Sequence, residues 1–312
     1  MHKYWKEYEW SNIFAMLRNQ KLDPAVCTDD FHNRLVVITG ATSGIGRAAA
    51  RLYASHGADI LCINRNKTKS EELCREIHDA FKTSCSYLVS DFSRMSDIHD
   101  TAEQLAALDR DIDVLIHNAG VFTTNRELTG DGFEMAFQVN YLSTFIINHT
   151  LIDKLSDQNS GRILYVNSEA HRFAVWGLDF EDLQWEQRRY SGLKGYGAAK
   201  TAQLLSMIKF AERLAGTGVT INAMHPGNVK TSSGQNNGPI YQFFKRLLVD
   251  SSARPIDDAA EALYYLGVSP ALDGVSGRFF NLTMEEEPAP PALDREAADQ
   301  LWEISLKSGD LQ

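Results

Sequence analysis

From residue 35 onward, short apolar runs alternate with longer stretches whose apolar positions recur at helical spacing. The runs at 35–38, 60–63, 87–89, 114–116, 163–166, 219–223 and 278–281 read as buried strands. Between them lie helix-length segments at 47–55, 71–81, 96–108, 133–155 and 196–214. Alternation of this kind predicts an α/β fold, a doubly wound parallel sheet with helices on both faces in three layers (α/β/α). No repeat, low-complexity tract or linker divides residues 35–282. The expected organisation is an N-terminal extension (1–33), one catalytic domain (34–284) and a C-terminal tail (285–312). In that tail, three Glu and three Pro at 285–291 read as an extended crossing, followed by a helix at 294–307.

The extension carries its own pattern. Trp10, Ile13, Phe14 and Leu17 fall at i, i+3, i+4 and i+7, one face of a helix that Asp23-Pro24 ends. The favoured reading is a helix docked on the main domain. The second reading is an interfacial membrane anchor, since Trp and Tyr suit that layer. Its basic face is thin: Lys3, Lys6 and Arg18 stand against Glu7 and Glu9.

Composition narrows the class. Of 312 residues, 44% are hydrophobic and 23% charged, as in ordinary soluble globular proteins. The net charge of −10 leaves no broad basic surface for nucleic acid. Cys27, Cys62, Cys74 and Cys85 have no metal-ligand spacing and read as reduced thiols. No apolar run reaches the ~18 residues of a membrane span. Met1 to Trp10 holds Lys, Glu and aromatics where a secretory signal needs an apolar core. The expectation is a cytoplasmic protein, with a peripheral membrane location as the second reading.

Two stretches carry chemistry. Thr39-Gly40-Ala41-Thr42-Ser43-Gly44-Ile45-Gly46 follows the first strand and opens a helix. Glycines there let the backbone approach a pyrophosphate, and the helix start offers free N–H groups and partial positive charge. In this context the loop predicts dinucleotide binding and makes the fold Rossmann-like. The second strand ends at Asn64-Arg65, about 18 residues past Gly46, where an acidic residue would mark NAD. A neutral Asn64 followed by a guanidinium predicts NADP(H) over NAD(H), because Arg65 can pair with a 2′-phosphate. The second stretch is Tyr196-Gly197-Ala198-Ala199-Lys200. On a helix, Tyr196 and Lys200 share a face one turn apart. An ammonium beside a phenol favours the phenolate, lowering its pKa from about 10 and fitting it for proton transfer near neutral pH. By itself the pair also fits an ordinary surface helix.

Taken together, Thr39–Gly46, Asn118-Ala119-Gly120, Asn140, Ser168 and Tyr196 with Lys200 resemble the short-chain dehydrogenase/reductase family over residues 34–284. Other stretches are similar to its retinol-dehydrogenase-like branch: Phe137-Gln138-Val139-Asn140, Ser168-Glu169-Ala170-His171-Arg172-Phe173, Leu178 to Leu183, His225-Pro226-Gly227 and Leu301-Trp302-Glu303. The resemblance implies Tyr196 as general acid/base and Lys200 as the residue that binds the nicotinamide ribose and depresses the tyrosine pKa. It implies that Ser168 hydrogen-bonds the substrate oxygen and Asn140 holds a water of the proton relay. Asn118 would steady the central strand, and Asp91 would meet the adenine. Gly40, Thr42, Ser43, Gly44, Ile45, Gly46, Ala119, Gly120, Pro226 and Gly227 complete the expected cofactor contacts. A homodimer or homotetramer is implied as well. The chain departs from the pattern at Asn167, where a second serine is common, and at Lys200-Thr201-Ala202-Gln203, where the branch commonly has Lys-Leu-Ala-Asn.

Two segments are expected over the catalytic face. One is an insert, 172–195, with Phe173, Trp176, Phe180, Trp185 and Tyr190; the other follows Gly227 and holds Ser232 to Gly238, Tyr241, Phe243, Phe244, Leu247 and Leu248. Their aromatics suggest a small-molecule apolar carbonyl or alcohol substrate, although packing of the lid explains them equally well. His171 and His225 lack any spacing that would support a metal and read as hydrogen-bonding loop residues. Three functions fit: an NADP(H)-dependent alcohol/carbonyl oxidoreductase, a reductase of a conjugated C=C bond as in protochlorophyllide-reductase-like relatives, or a non-catalytic nucleotide-binding protein. The set Asn140, Ser168, Tyr196 and Lys200 favours the first.

Overall fold

The computed structural model describes residues 3, 4, 6–8, 18, 19, 22–227 and 254–311. In chain order they form β1 (Leu35–Thr39), α1 (Gly44–Ser55), β2 (Asp59–Asn64), α2 (Lys67–Phe81), β3 (Cys85–Val89), α3 (Met95–Ala106) and β4 (Val114–His117). After these come α4 (Ser143–Asp157), β5 (Gly161–Val166), α5 (Gly192–Arg213), β6 (Val219–His225), α6 (Ile256–Val268), β7 (Phe279–Asn281), β8 (Met284–Glu286) and α7 (Arg295–Ser308). The eight strands make one sheet ordered β3-β2-β1-β4-β5-β6-β7-β8. All pairs are parallel except β7 with β8. The doubly wound α/β sheet is therefore present.

Alternate residues of each strand face opposite layers, as the two-residue period of a strand requires. In β1, Leu35 and Val37 join a core with α3, α4, α5 and α7. Val36 and Ile38 join the other core, with α1, α2 and α6. Strand order reverses between β1 and β4, so the crevice for a ligand opens at their carboxyl ends.

Three elements differ from expectation. Residues 284–286 are an antiparallel strand, not part of an extended crossing. The two-residue turn that makes it holds Leu282 at φ 54°, a conformation sequence signals assign to Gly or Asn. The helix expected from residue 133 begins instead as a π-helical turn, Phe137–Leu142, that runs into α4. Helix α6 was not singled out by its spacing, yet it packs against α1 through Tyr53, whose hydroxyl donates to the Leu263 carbonyl at 2.8 Å.

The helix expected around Trp10, Ile13, Phe14 and Leu17 lies outside the described residues. The end of the extension rests on the end of α1, where Phe31 N–H donates to the His56 carbonyl, while its earlier described parts meet late parts of the chain or the insert. Tyr4 is buried and donates to Asp294, the N-cap of α7, at 2.6 Å. Its ring lies against Gly177. Ala25 N–H donates to Thr283 Oγ1, and Arg254 donates to the Leu22 carbonyl. Among the described residues no helix is long and apolar enough to cross a membrane.

The α1–α6 contact can be tested. A Cβ on Gly267 would lie 1.9 Å from the Tyr53 hydroxyl oxygen. Gly267→Ala is expected to cost about 1–3 kcal/mol by overpacking. Adding Tyr53→Phe, which removes the colliding oxygen, should recover part of that loss in urea unfolding.

Candidate active site

The loop between β1 and α1 is built by close backbone approach. Gly40 and Gly44 have φ of 71° and 55°, the left-handed region that glycine enters without penalty. Gly46 has no room for a side chain: a Cβ there would lie 2.4 Å from both Asn118 Nδ2 and the Gly40 carbonyl oxygen. Ser43 precedes α1 in extended backbone, and its hydroxyl does not cap the helix. The first-turn N–H groups of α1 thus have no side-chain cap, and no acidic residue stands in that turn. Asn64 braces the loop from β2, accepting from Ala41 N–H at 2.7 Å and donating to Ser70 Oγ at 3.1 Å. Arg65 beside it is exposed and pairs with no carboxylate among the described residues. Thr42 is half-buried and Ile45 buried under the loop.

Asn118, Ala119 and Gly120 lock the end of β4 to the end of β1. Thr39 Oγ1 accepts from the N–H groups of Asn118 (3.0 Å) and Ala119 (2.9 Å), and Asn118 Nδ2 donates to the carbonyls of Thr39 and Gly40. Asn140, within the π-helical turn, is fully buried. Its Oδ1 accepts from Val121 N–H at 2.7 Å and its Nδ2 donates to the Val121 carbonyl at 2.9 Å. Both ends of the amide therefore hold the loop after Gly120. Asp91 Oδ1 accepts from the N–H and hydroxyl of Ser93 at the end of β3. Pro226 and Gly227, buried at the end of β6, form the remaining wall, with Gly227 at φ 74°.

Ser168, Tyr196 and Lys200 are joined by two elements that touch closely. A Cβ on Gly197 would lie 2.5 Å from the Ala170 carbonyl oxygen, so α5 packs directly on the turn after β5. Ser168 Oγ accepts from Ala170 N–H at 3.1 Å, which leaves its own proton to donate. The Tyr196 ring meets Phe122 edge-on at 5.6 Å and Lys200 Nζ at 5.6 Å. Lys200 is buried, and its ammonium donates to the Val166 carbonyl at 2.8 Å and to Gln203 Oε1 at 3.0 Å. Burial with no carboxylate in contact pulls its pKa down to about 7.

The two histidines and the aromatics of the insert singled out in the sequence lie around these groups. His171 is buried and neutral, its pKa lowered by burial to about 3. Its Nε2 accepts from Ala289 N–H at 3.1 Å, so Nδ1 carries the proton and donates to the Ser168 carbonyl at 2.8 Å. His225 is likewise buried, with its pKa lowered to about 4. Among the described residues no cluster of His, Cys, Asp or Glu is placed to hold a metal ion. Tyr190 of the insert donates to Glu134 and shares a 3.0 Å hydrogen bond with Thr123, tying the insert to the loop after Gly120. Trp185 is buried against Tyr190, whereas Phe173 and Trp176 are more than half exposed. A cavity of about 410 Å³ lies under the insert, lined by Ala198 and Ala199 but not by Tyr196 or Ser168. Ser232 to Gly238 and Tyr241 to Leu248 lie outside the described residues.

Comparisons with known proteins place the chain in a family. The family model described as short chain dehydrogenase matches residues 34–178. Retinol dehydrogenase 13 of Homo sapiens is 34% identical over 88% of this chain and 84% of its own length. Retinol dehydrogenase 14 of Mus musculus is 33% identical over 94% and 90%. Among solved structures, an uncharacterised protein of Mycobacterium paratuberculosis superposes with a TM-score of 0.70 at 27% identity, covering 92% of this chain and 99% of that one. A protein of Beutenbergia cavernae, described as an NAD(P)-dependent gluconate 5-dehydrogenase with NADP bound at low occupancy, gives 0.66 at 26% identity, covering 81% and 96%.

Arg172, in the turn after Ser168, pairs with Glu169 and lies 3.6 Å from Glu286. Burial, and then the neighbouring Glu169 charge, push Glu286 up to about 7. A carboxyl raised in the fold contributes stability that is complete below its unfolded pKa and lost as pH rises through about 7. Glu286→Gln, which is neutral at every pH, should therefore stabilise the protein at pH 8 by about 1–3 kcal/mol and change little at pH 4.5. Thermal unfolding at the two pH values checks both the sign and the window.

Proposed function

Because the chain belongs to the short-chain dehydrogenase/reductase family, in its retinol-dehydrogenase-like branch, we propose that it interconverts an alcohol and a carbonyl on a bulky apolar, retinoid- or lipid-like molecule, with NADP(H) as cofactor. The observation that carries the reading is the buried Lys200 ammonium, held by neutral acceptors one helical turn from Tyr196. An ammonium kept dry without a counter-ion directs its field at the nearby phenol.

The residues at the crevice fit a dinucleotide. Gly40, Thr42, Ser43, Gly44, Ile45 and Gly46 would hold the pyrophosphate at the uncapped start of α1. Arg65 would meet the 2′-phosphate and Asp91 the adenine, while Asn118, Ala119, Gly120, Pro226 and Gly227 would border the nicotinamide half. Bound there, the cofactor supplies or accepts the hydride. Ser168 orients the substrate oxygen with its free hydroxyl proton and stabilises developing negative charge. Tyr196 gives that oxygen its proton in reduction and removes it in oxidation. Lys200, with two ammonium protons engaged, would have the third for the cofactor's ribose, and its charge would stabilise the phenolate. Since the Asn140 side chain is committed to Val121, its main-chain carbonyl is the group that would hold the relay water.

Two substitutions test the reading. Tyr196→Phe should lower kcat for NADPH-dependent carbonyl reduction by roughly 10²–10⁴-fold while NADPH affinity stays within a few-fold. Turnover within threefold of wild type would remove Tyr196 from its role. Arg65→Ala loses a hydrogen bond to a charged group, so NADPH binding should weaken by roughly ten- to a hundredfold with NADH affinity almost unmoved. Equal weakening of both cofactors, or a wild-type preference for NADH, overturns the NADP assignment.

A further inference from the structure

Asn167 and Gln203 are two of the positions where the catalytic stretches depart from the related pattern, and they meet. Asn167 Nδ2 donates to Gln203 Oε1 at 3.1 Å and to the Lys200 carbonyl at 3.0 Å. The same Gln203 oxygen accepts from Lys200 Nζ at 3.0 Å. On its other side, Asn167 Oδ1 accepts from Ser168 N–H at 2.8 Å, and Asn167 N–H donates to the Met224 carbonyl at 2.7 Å. All three side chains are at most 3% exposed. From this network we propose that Gln203 is the positioning residue of the Lys200 ammonium, and that Asn167 fixes Gln203 and couples it to Ser168. The proposal rests on the reading of Lys200 as the partner of Tyr196.

The chemistry explains why amides stand here. An ammonium has three protons, of which the Val166 carbonyl and Gln203 Oε1 take two. Without the second acceptor the nitrogen could swing about the Val166 bond, and the burial cost of the charge would rise. A carboxylate in the same place would hold it as well but would cancel the positive field that Tyr196 uses. A glutamine oxygen accepts without that cancellation. Free rotation of its amide would present nitrogen as readily as oxygen, and a second donor on the oxygen prevents the flip. Asn167 Nδ2 is that donor. Its own orientation is set by the Ser168 N–H, a donor only, which requires oxygen on that side. One chain of amides, oriented from Ser168 to Lys200, thus sets both groups.

The test reads Lys200 directly. Lysine labelled with ¹³C at Cε reports its titration by NMR in nucleotide-free protein, with the signal assigned by Lys200→Met. Gln203→Met conserves length and volume and removes the oxygen. It should lower the Lys200 midpoint by about one pH unit or more, the size of one hydrogen bond to a charged group. Gln203→Glu keeps the acceptor and adds charge, so the midpoint should rise. Asn167→Ala should lower the midpoint in wild-type background and have no further effect when Gln203 is Met, since it acts through that oxygen. An unchanged midpoint in Gln203→Met, shifts of the same sign in Met and Glu variants, or a full additive effect of Asn167→Ala overturns the proposal. Turnover of wild type with alcohols and carbonyls is measured in parallel. Absent turnover with the expected shifts would sink the enzymatic reading and leave the positioning network standing; turnover with unmoved midpoints would do the reverse.

Discussion

The molecule depends on how closely two loops can approach at the point where strand order reverses. Gly40, Gly46 and Asn118 stand where any added Cβ on either glycine would overlap a neighbour, and Thr39 receives two backbone donors from the loop after β4. That contact fixes the ends of β1 and β4 against each other. The uncapped start of α1 opens on one side of it. On the other side, Val121 clamps Asn140 and Phe122 meets Tyr196. The loop after β1 and the Tyr196 ring are thus referenced to one joint, which holds the geometry of the candidate site.

Charge is partitioned on either side of Ser168. Toward α5, the buried cation Lys200 has only neutral partners. Toward the C-terminal hairpin, Arg172 gathers Glu169 and Glu286, so the carboxylates in this neighbourhood are drawn to a guanidinium and away from Lys200. His171 stands between the two sets and is kept neutral by burial. A positive histidine there would compete with the Arg172 guanidinium for the same carboxylates. The arrangement leaves Lys200 among neutral partners while the Arg172 charge is matched by carboxylates.

Much of this was legible in the sequence because it is written in backbone constraint. Glycines at 40, 44 and 46, the strand–helix alternation and the one-turn spacing of Tyr196 and Lys200 each follow from local geometry. The residues that escaped detection act through tertiary contact. Asn64 looks like a strand-end polar residue until Ala41 is brought to it, and Gln203 looks like a helix surface amide until β5 covers it. The mismatch with the family pattern at 167 and 203 was visible, but nothing in the linear order says that 167 and 203 touch. β8 escaped for another reason: its turn uses Leu282 in a conformation that leucine rarely adopts. α6 is Ala-rich and short of strong spacing signals, and its place is set by Tyr53.

The docking of Tyr4 has a consequence for how the chain is made. Its hydroxyl bonds to Asp294, 290 positions later, and its ring meets Gly177, while Leu22 and Ala25 bond to Arg254 and Thr283. Tyr4 leaves the ribosome well before Asp294 does. With translation at about 5–20 residues per second, its ring waits about ten seconds or more for that partner. The Rossmann-like half can close during that interval, because β1, β2, β3 and β4 lie within 120 residues of the start. Tyr4 is thereby buried only after α7 has been made, and its docking marks a chain whose last described helix is already in place.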